Sequence, residues 1–197
     1  MESVQKYSYA MVCSSNMNRS MAAHKILISA DEQFDCRSYG TGDVVRLPHR
    51  NPRQTNDFKF NVAYQTMHDK LSESNHRVYT EMGVLGMLER NASIKSHPER
   101  FTDLSNHVDF IICFQPKVFD QVLEDLRRKG IVHGGKMSYV INFDTIDSLD
   151  NAEQSAKYVY EFVKKLEGLN DLSELSEVIE DFQLNIPIEM MWTVTIV

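Results

Sequence analysis

The sequence predicts an α/β fold: a doubly wound, mostly parallel sheet with helices on both faces, together with extra helices. Short apolar runs without polar alternation are typical of strands buried on both faces, and 108–114 is the clearest of them. Stretches with apolar residues at helical spacing follow these runs along the chain. Alternating strands and helices indicate a parallel sheet, in which ligands bind beyond the carboxyl ends of the strands.

The individual elements follow from hydrophobic spacing and turn residues. Strands are predicted at 7–12, 34–39, 108–114, 137–143 and 191–197, and helices at 20–29, 60–71, 82–90, 116–129, 156–166 and 172–182. The helix at 116–129 has the clearest ends, because Pro116 lies in its first turn and Gly130 follows its basic last turn. The polar stretch 43–57 contains Pro48 and Pro52, and we expect a long ordered loop there.

Composition limits the classes of function. With 197 residues, 42% of them hydrophobic and 25% charged, the chain suits one globular domain spanning residues 1–197. It has no apolar run of about 18 residues and no signal-peptide core, so we expect an intracellular protein without a membrane span. The net charge of −7 argues against direct nucleic-acid binding. Three widely spaced cysteines, Cys13, Cys36 and Cys113, fit reduced thiols better than disulfides or a zinc site.

The stretch from Cys13 to Ser20 connects the first strand to the first helix and predicts a phosphate-binding loop. N–H groups that converge at a helix N-terminus attract anions through their unpaired donors and through the helix dipole. The predicted phosphate-binding residues are Ser14, Ser15, Asn16, Met17, Asn18 and Ser20. A cysteine and an arginine six positions apart are common by chance, and the alternative is a buried cysteine beside a surface arginine.

Cys13 and Arg19 are the predicted catalytic pair of this loop. We expect Cys13 to react as a thiolate, while Arg19 holds two phosphate oxygens through its planar guanidinium. In-line attack then gives a phosphocysteine, which water hydrolyses. Asn16 is expected in the left-handed conformation, and Ser20 is expected to donate a hydrogen bond to the thiolate.

The loop after the fourth predicted strand leaves the sheet at the same edge as Cys13 and contains three aspartates. An alkyl phosphate ester has a poor leaving group, so we expect one aspartate to protonate the leaving oxygen and later to activate water. Asp147 is the first choice and Asp144 the second. The alternative is that these are turn and cap residues, with Asp150 or Asn151 capping the next helix.

The histidines have no predicted catalytic role. His24 is expected on the surface of the first helix. Neither His97 nor His133 has the spacing of a metal ligand, so neither a metal nor another cofactor is expected.

Several motifs together carry a resemblance to a known family. The loop from Cys13 to Ser20 continues with Met21, Ala23 and His24. Further motifs follow in order along most of the chain: Arg37-Ser38-Tyr39-Gly40-Thr41-Gly42, Leu47-Pro48, Tyr79-Thr80, Gly83 with Met87-Leu88, Arg90-Asn91, Ile94-Lys95, Pro98-Glu99-Arg100-Phe101 and Phe119-Asp120. This ordered set resembles the Ssu72 class of RNA polymerase II carboxy-terminal-domain phosphatases, relatives of the low-molecular-weight protein tyrosine phosphatases, and it is far more specific than the loop alone.

The resemblance implies a low-molecular-weight phosphatase-like fold and a protein phosphatase for the fifth-position serine of the polymerase heptad, with phosphotyrosine as a second candidate substrate. It implies that the proline after this serine is bound in the cis form. Because free X-Pro peptides hold only roughly 10–30% cis, the activity would depend on prolyl isomerases. It nominates Arg46, Pro48, Tyr79 and Met87 as peptide contacts and Asp147 as the general acid. Binding to the scaffold symplekin of the RNA 3′-end processing machinery is also implied, and so is a nuclear location, with the cytoplasm as an additional one.

Two stretches depart from the family pattern. The stretch 49–60 lacks the usual Lys-Pro-Asn after Leu47-Pro48, and Phe114-Gln115 replaces an acidic pair. Because the phosphate loop and the acid are intact, catalysis is expected to survive. Two alternatives remain: an inactive or weakly active phosphopeptide-binding scaffold of the same complex, and an arsenate-reductase-like thiol enzyme, which would need further cysteines as a relay.

Overall fold

The computed structural model describes residues 7–32, 34–131 and 134–197, and His133 therefore lies outside the described residues. The strands are β1 (Ser8–Cys13), β2 (Asp35–Gly40), β3 (Val45–Pro48), β4 (Thr55–Phe58), β5 (Phe110–Cys113), β6 (Met137–Phe143) and β7 (Met190–Ile196). The helices are α1 (Arg19–Ser29), α2 (Tyr64–Glu81), α3 (Val84–Ala92), α4 (Pro116–Lys129), α5 (Leu149–Glu167) and α6 (Leu175–Leu184), with short 3-10 helices at Phe101–Asp103 and Leu172–Glu174. Within those described ranges, no helix is long and apolar enough to cross a membrane.

The central sheet has five strands in the order β2-β1-β5-β6-β7. β1 pairs in parallel with β2 on one side and with β5 on the other, β6 continues the parallel part, and β7 is antiparallel to β6. The predicted mostly parallel, doubly wound sheet is confirmed. The strand order reverses beside β1, so the place where such sheets bind ligands lies at its carboxyl end, at Cys13.

Apolar layers cover both faces of this sheet. On one face, α1, α5 and α6 pack against strand residues such as Met11 and Ile112. On the other face, α4 packs against residues such as Val12 and Ile111. All four residues of β5 are buried, which explains the continuous apolar run in the sequence. The site at the strand ends thus stands on a rigid core.

The prediction of a long loop at 43–57 is wrong, because this stretch contains the antiparallel strands β3 and β4. In β3, Val45 and Leu47 are buried and alternate with exposed Arg46 and Pro48. Four residues of alternation are too few to stand out in a sequence, and the polar β4 shows none. The hairpin forms because its buried side joins an apolar cluster with α2 and α3.

The helix predicted at 60–71 begins at Tyr64 and continues to Glu81. Its second half is mostly exposed and polar, so the apolar periodicity stops before the helix does. A backbone break at Asn75 interrupts it, after which Tyr79 returns to the core. The predicted C-terminal end of this helix is therefore wrong because its last turns have little apolar periodicity in the sequence.

His24 is buried, which contradicts its predicted surface position. Only 8% of it is exposed, and its Nδ1 lies 2.9 Å from the Oγ of Ser38 on β2. Burial, reinforced by the nearby Lys95 charge, lowers the pKa of His24 to about 4. A hydrogen-bonding partner on a neighbouring strand lets a polar side chain enter the core, and helical periodicity does not reveal such a partner.

Candidate active site

A pocket of about 450 Å³ opens at the carboxyl end of β1. The loop after Cys13 forms one side of it, and the others come from β3, from the start of α3 and from the loop after β6. Leu47, Pro48, Val84 and Met87 make one side apolar, next to the polar phosphate loop. The pocket therefore combines an anion-binding end with an apolar end.

Most of the predicted site residues meet in this pocket. Four of them, Asn16, Arg19, Ser20 and Tyr79, do not line it, whereas the other nine do. Asn16, Arg19 and Ser20 are buried beneath the loop. Tyr79 is buried behind the hairpin, where its hydroxyl accepts a hydrogen bond from Nδ2 of Asn56 at 3.1 Å. The structure thus places Tyr79 behind the pocket.

Cys13 is buried, and its Sγ lies 3.0 Å from the Oγ of Ser20. The same Oγ accepts a hydrogen bond from Nδ2 of Asn16 at 3.1 Å. A thiolate carries no hydrogen, so when Cys13 is ionised the hydroxyl of Ser20 is the donor to Sγ. The arrangement stabilises negative charge on the Cys13 sulfur.

Asn16 adopts the expected left-handed conformation, with φ of 54°. Its Oδ1 accepts a hydrogen bond from the Glu99 N–H at 3.0 Å, while its Nδ2 donates to Ser20. Asparagine tolerates this backbone region better than other side chains with a Cβ. Asn16 therefore bends the loop and at the same time joins Cys13, through Ser20, to the segment around Glu99.

The end of β2 lies directly against the first half of the phosphate loop. The N–H groups of Thr41 and Gly42 donate to the carbonyls of Cys13 at 3.0 Å and Ser14 at 2.9 Å. A Cβ on Gly40 would lie 2.9 Å from the backbone N of Asn16, closer than real Cβ contacts. The Gly40-Thr41-Gly42 turn is thus a support of the site as well as the end of a strand.

Three side chains hold the second half of the loop, and sequence reasoning gave none of them a role. Tyr64 donates to the carbonyl of Asn16 at 2.8 Å. Asn91 donates to the carbonyl of Met17 at 2.8 Å, and Arg90 donates to the same oxygen at 2.9 Å. The Arg90-Asn91 pair is among the motifs that resemble the family, which was the one signal that could have identified it. With these carbonyls bonded outward, the N–H groups of the loop remain for an anion.

Arg19 is only 4% exposed, and the ends of two strands orient its guanidinium. Nη1 donates to the carbonyls of Phe114 at 3.3 Å and Thr145 at 2.9 Å. Nη2 donates to Oε1 of Gln115 at 3.2 Å and to Oδ2 of Asp147 at 3.3 Å. Nε is buried and has no hydrogen-bond partner within the described part of the chain. The guanidinium is therefore preorganised, with one donor still unused.

Phe114 and Gln115 stand where the family pattern has an acidic pair, and both still accept hydrogen bonds from the guanidinium of Arg19. Phe114 binds Arg19 through its backbone carbonyl, so the identity of its side chain is not involved. Gln115 keeps a side-chain acceptor but carries no negative charge. The role of Gln115 could not be predicted from the sequence, because its contact with Arg19 joins residues 96 positions apart.

Asp147 lies at the rim of the pocket with 57% of its side chain exposed. Its Oδ1 accepts from Nδ2 of Asn18 at 3.0 Å, and its Oδ2 accepts from Arg19. Asp144, the second choice, is exposed outside the pocket lining, and its N–H binds the carbonyl of Glu189. The geometry thus favours Asp147 as the acid.

The cap of α5 differs from the prediction. Ser148, and not Asp150 or Asn151, is the N-cap residue, and its Oγ accepts from the N–H of Asn151 at 3.2 Å. In the described ranges, His, Cys, Asp and Glu side chains form no group of three or more that could hold a metal ion.

Comparison with known proteins gives a consistent relationship over nearly the whole chain. The family model described as "Ssu72-like protein" matches residues 7–197. The Danio rerio protein SSU72, named as a phosphatase of the RNA polymerase II C-terminal domain, is 38% identical over 175 residues, which cover 88% of this chain and 89% of that protein. The phosphatase ssup-72 of Caenorhabditis elegans is 36% identical over 189 residues, which cover 95% and 94%.

A solved structure shows the same similarity in three dimensions. The structure of Drosophila melanogaster Ssu72 with Symplekin, bound to a cis peptidomimetic of the polymerase domain with a phosphorylated fifth-position serine, matches with a TM-score of 0.91. Sequence identity is 31%, and the match covers 97% of this chain and 98% of that chain. Fold and sequence agree over most of the chain, and the chain belongs to the Ssu72 family.

Proposed function

We propose that this protein is a serine phosphatase that dephosphorylates the fifth-position serine of the RNA polymerase II carboxy-terminal-domain heptad. The observation that carries this proposal is that Cys13 and Asp147 line one pocket, while Arg19, buried beneath the loop, bonds to Asp147 although the two residues are 128 positions apart. The relatives described above are named as phosphatases of this polymerase domain, and the Drosophila relative was solved with a mimic of the phosphorylated heptad peptide.

In the first step, Sγ of Cys13 attacks the phosphorus of phosphoserine in line with the leaving oxygen. The Sγ–P bond forms while the P–Oγ bond breaks, and Asp147 gives its proton to the departing seryl oxygen. The N–H groups of the loop and the guanidinium of Arg19, including its unpaired Nε, bind the three remaining oxygens.

In the second step, water hydrolyses the phosphocysteine. Asp147, now a carboxylate, takes a proton from the water molecule while the water oxygen attacks phosphorus. The Sγ–P bond breaks, which releases inorganic phosphate and regenerates the thiolate. Ser20 favours this step, because its hydroxyl donates to the sulfur as negative charge returns to it.

The apolar end of the pocket suits the residue after phosphoserine. Pro48, Val84 and Met87 face the space beside Cys13 and can pack against a proline, while Arg46 adds a positive charge at the rim. The peptide mimic of the Drosophila relative is described as cis. We propose that this chain also selects the cis proline, which links its rate to prolyl isomerases, since free peptides hold only roughly 10–30% cis.

The proposed partners follow from the same relative, which was solved with Symplekin. A symplekin-type scaffold and the phosphorylated polymerase domain would place the protein in the nucleus. An arsenate-reductase-like thiol relay has little support, because burial raises the pKa of the Cys36 and Cys113 thiols, the two cysteines available as relay partners.

Turnover of a heptad peptide phosphorylated on its fifth-position serine, and of 4-nitrophenyl phosphate, by Cys13→Ser and Asp147→Asn tests the proposal. Cys13→Ser should lose both activities. In kcat/KM, which reports phosphocysteine formation, Asp147→Asn should lose about 10²–10⁴-fold on the peptide and much less on the aryl ester, because 4-nitrophenolate leaves without a proton. Equal rates for wild type and Cys13→Ser would remove the cysteine mechanism, and peptide binding without turnover would support the scaffold alternative.

Two further comparisons refine the assignment. Asp144→Asn measured in parallel should retain the peptide activity, and a larger loss than in Asp147→Asn would transfer the acid role to Asp144. Peptides with the proline locked as cis or trans should differ strongly in rate, and equal rates would discard the cis preference.

A further inference from the structure

Asn18 is the N-cap residue of α1, but its side chain makes no capping hydrogen bond. An asparagine at this position usually accepts from an N–H in the first turn of its own helix. Here Nδ2 instead donates to Oδ1 of Asp147 at 3.0 Å and to the carbonyl of Ser148 at 3.1 Å. The side chain therefore serves the loop after β6.

The orientation of the Asn18 amide follows from these neighbours. Both groups near Nδ2 are acceptors, so the opposite orientation would bring the amide oxygen against two oxygens. The backbone at Asn18 is also held in place, because its carbonyl accepts from the N–H of Ala22 at 2.9 Å and from Nη2 of Arg90 at 3.3 Å. Asn18 is thus a well-supported donor aimed at one oxygen of the acid.

The two oxygens of Asp147 have different partners. Oδ1 contacts the neutral amide of Asn18, whereas Oδ2 contacts the cationic Nη2 of Arg19 at 3.3 Å. Phosphate bound in the loop competes for the cationic Arg19, whereas the neutral Nδ2 of Asn18 is already engaged by Oδ1 of Asp147 and the carbonyl of Ser148. When substrate binds, Oδ1 therefore keeps its partner and Oδ2 is released toward the phosphate.

We propose that Asn18 is a positioning residue for the general acid and determines which oxygen of Asp147 carries the proton. A protonated carboxyl group has one O–H and one carbonyl oxygen, and an oxygen that accepts from N–H acts as the carbonyl oxygen. With Oδ1 in that role, the proton sits on Oδ2, passes to the seryl oxygen as the P–O bond breaks, and returns to Oδ2 from water in the second step. This inference rests on the proposed function.

Asn18→Ala tests the proposal with two leaving groups. On the phosphoserine heptad peptide, kcat/KM should fall about tenfold or more, because general-acid catalysis loses its geometry. On 4-nitrophenyl phosphate, kcat/KM, which reports phosphocysteine formation, should fall much less than on the peptide, since this leaving group needs no proton. Asn18→Asp keeps the shape but replaces the donor by an acceptor, and its loss on the peptide should exceed that of Asn18→Ala.

Two further measurements separate positioning from a general effect on the loop. In an Asp147→Asn background, Asn18→Ala should cause no further loss on the peptide, as expected for two residues that act through one group. The inhibition constant for vanadate should change much less than the peptide rate, which would show that the phosphate loop still binds an anion. Asn151→Ala is the matched control, because Asn151 also bonds to Ser148 but does not contact Asp147; it should keep both activities.

Equal losses of activity on both substrates would overturn the inference and assign Asn18 to the phosphate loop alone. So would a loss on the peptide that is as large in the Asp147→Asn background as in wild type. These outcomes require an active wild type. A wild type that hydrolyses neither substrate would instead contradict the proposed function, so the two failures are distinguishable.

Discussion

Glu99 donates its backbone N–H to the Oδ1 of Asn16 at 3.0 Å, and its own carbonyl accepts from the N–H of Gly40 at 2.8 Å. One residue far from the phosphate loop in sequence thus joins that loop to the end of β2. Because Asn16 also donates to Ser20, Cys13 is linked to Glu99 through two side chains. The position of Cys13 therefore depends on contacts well outside its own loop.

Substitution of Asn16 should separate backbone strain from side-chain hydrogen bonding. Asn16→Gly and Asn16→Ala both remove the bonds to Glu99 and Ser20, but only alanine places an unsupported Cβ at φ of 54°. We expect Asn16→Ala to be less stable than Asn16→Gly by about 1 kcal/mol, measured by urea unfolding. The exposed Asn61 provides the control, since Asn61→Ala should change little. Equal free energies of unfolding for the two Asn16 variants would show that the left-handed backbone at this position does not destabilise alanine relative to glycine.

Ser20→Ala should slow the second chemical step more than the first. The hydroxyl lies 3.0 Å from Sγ, and a hydrogen bond to a charged group contributes about 1.5–3 kcal/mol. We expect kcat to fall about tenfold or more, with phosphocysteine accumulating as a burst in rapid-quench measurements. Ser138→Ala removes a similarly buried serine hydroxyl, bonded to Val108 on the opposite part of the sheet, and should leave the kinetics unchanged. A burst equal to that of wild type would argue against this role of Ser20.

Gln115→Glu should weaken anion binding. Its Oε1 accepts from Nη2 of Arg19 at 3.2 Å, so a carboxylate at this position would compete with phosphate for the same guanidinium. We expect the inhibition constant for vanadate to rise about tenfold, with the effect reduced at high salt. Gln115→Met, similar in size but without charge, should change the constant much less. If glutamate and methionine behaved alike, the charge would not be the cause.

The stability of the fold should depend on pH through His24. Because the folded pKa of His24 is about 4, below its ordinary value of 6.5, the unfolded chain takes up the proton first as pH falls. The stabilising contribution of neutral His24 is complete above about pH 6.5 and is lost between pH 6.5 and 4, by about 3 kcal/mol in total. Urea unfolding at pH 7.5, 5.5 and 4.5 should show this fall in the free energy of unfolding with falling pH in wild type and not in His24→Asn. His76→Asn, at an exposed position, should keep the wild-type slope; an unchanged slope in His24→Asn would rule out His24 as the source.

The α/β fold and the sheet edge where the candidate site lies could be predicted because they depend on local patterns. Buried strands such as β5 are apolar throughout, and the helix after it has clear end signals at Pro116 and Gly130. The hairpin of β3 and β4 could not be predicted, since its stability comes from packing on α2 and α3 and its own sequence is mostly polar. That residues 1–197 form a single domain, and which residues carry the chemistry, stay predictions.

By itself, the sequence determined the composition of the candidate site: a thiol and a guanidinium on one short loop after a strand, with an aspartate on a later loop at the same edge. Only the tertiary structure decided which partners these groups have. It brought Glu99 to Asn16, Gln115 to Arg19 and the Asn18 amide to Asp147. The physical reason is that a hydrogen bond between distant residues depends on the positions of whole strands and loops, which no local spacing of residue types records.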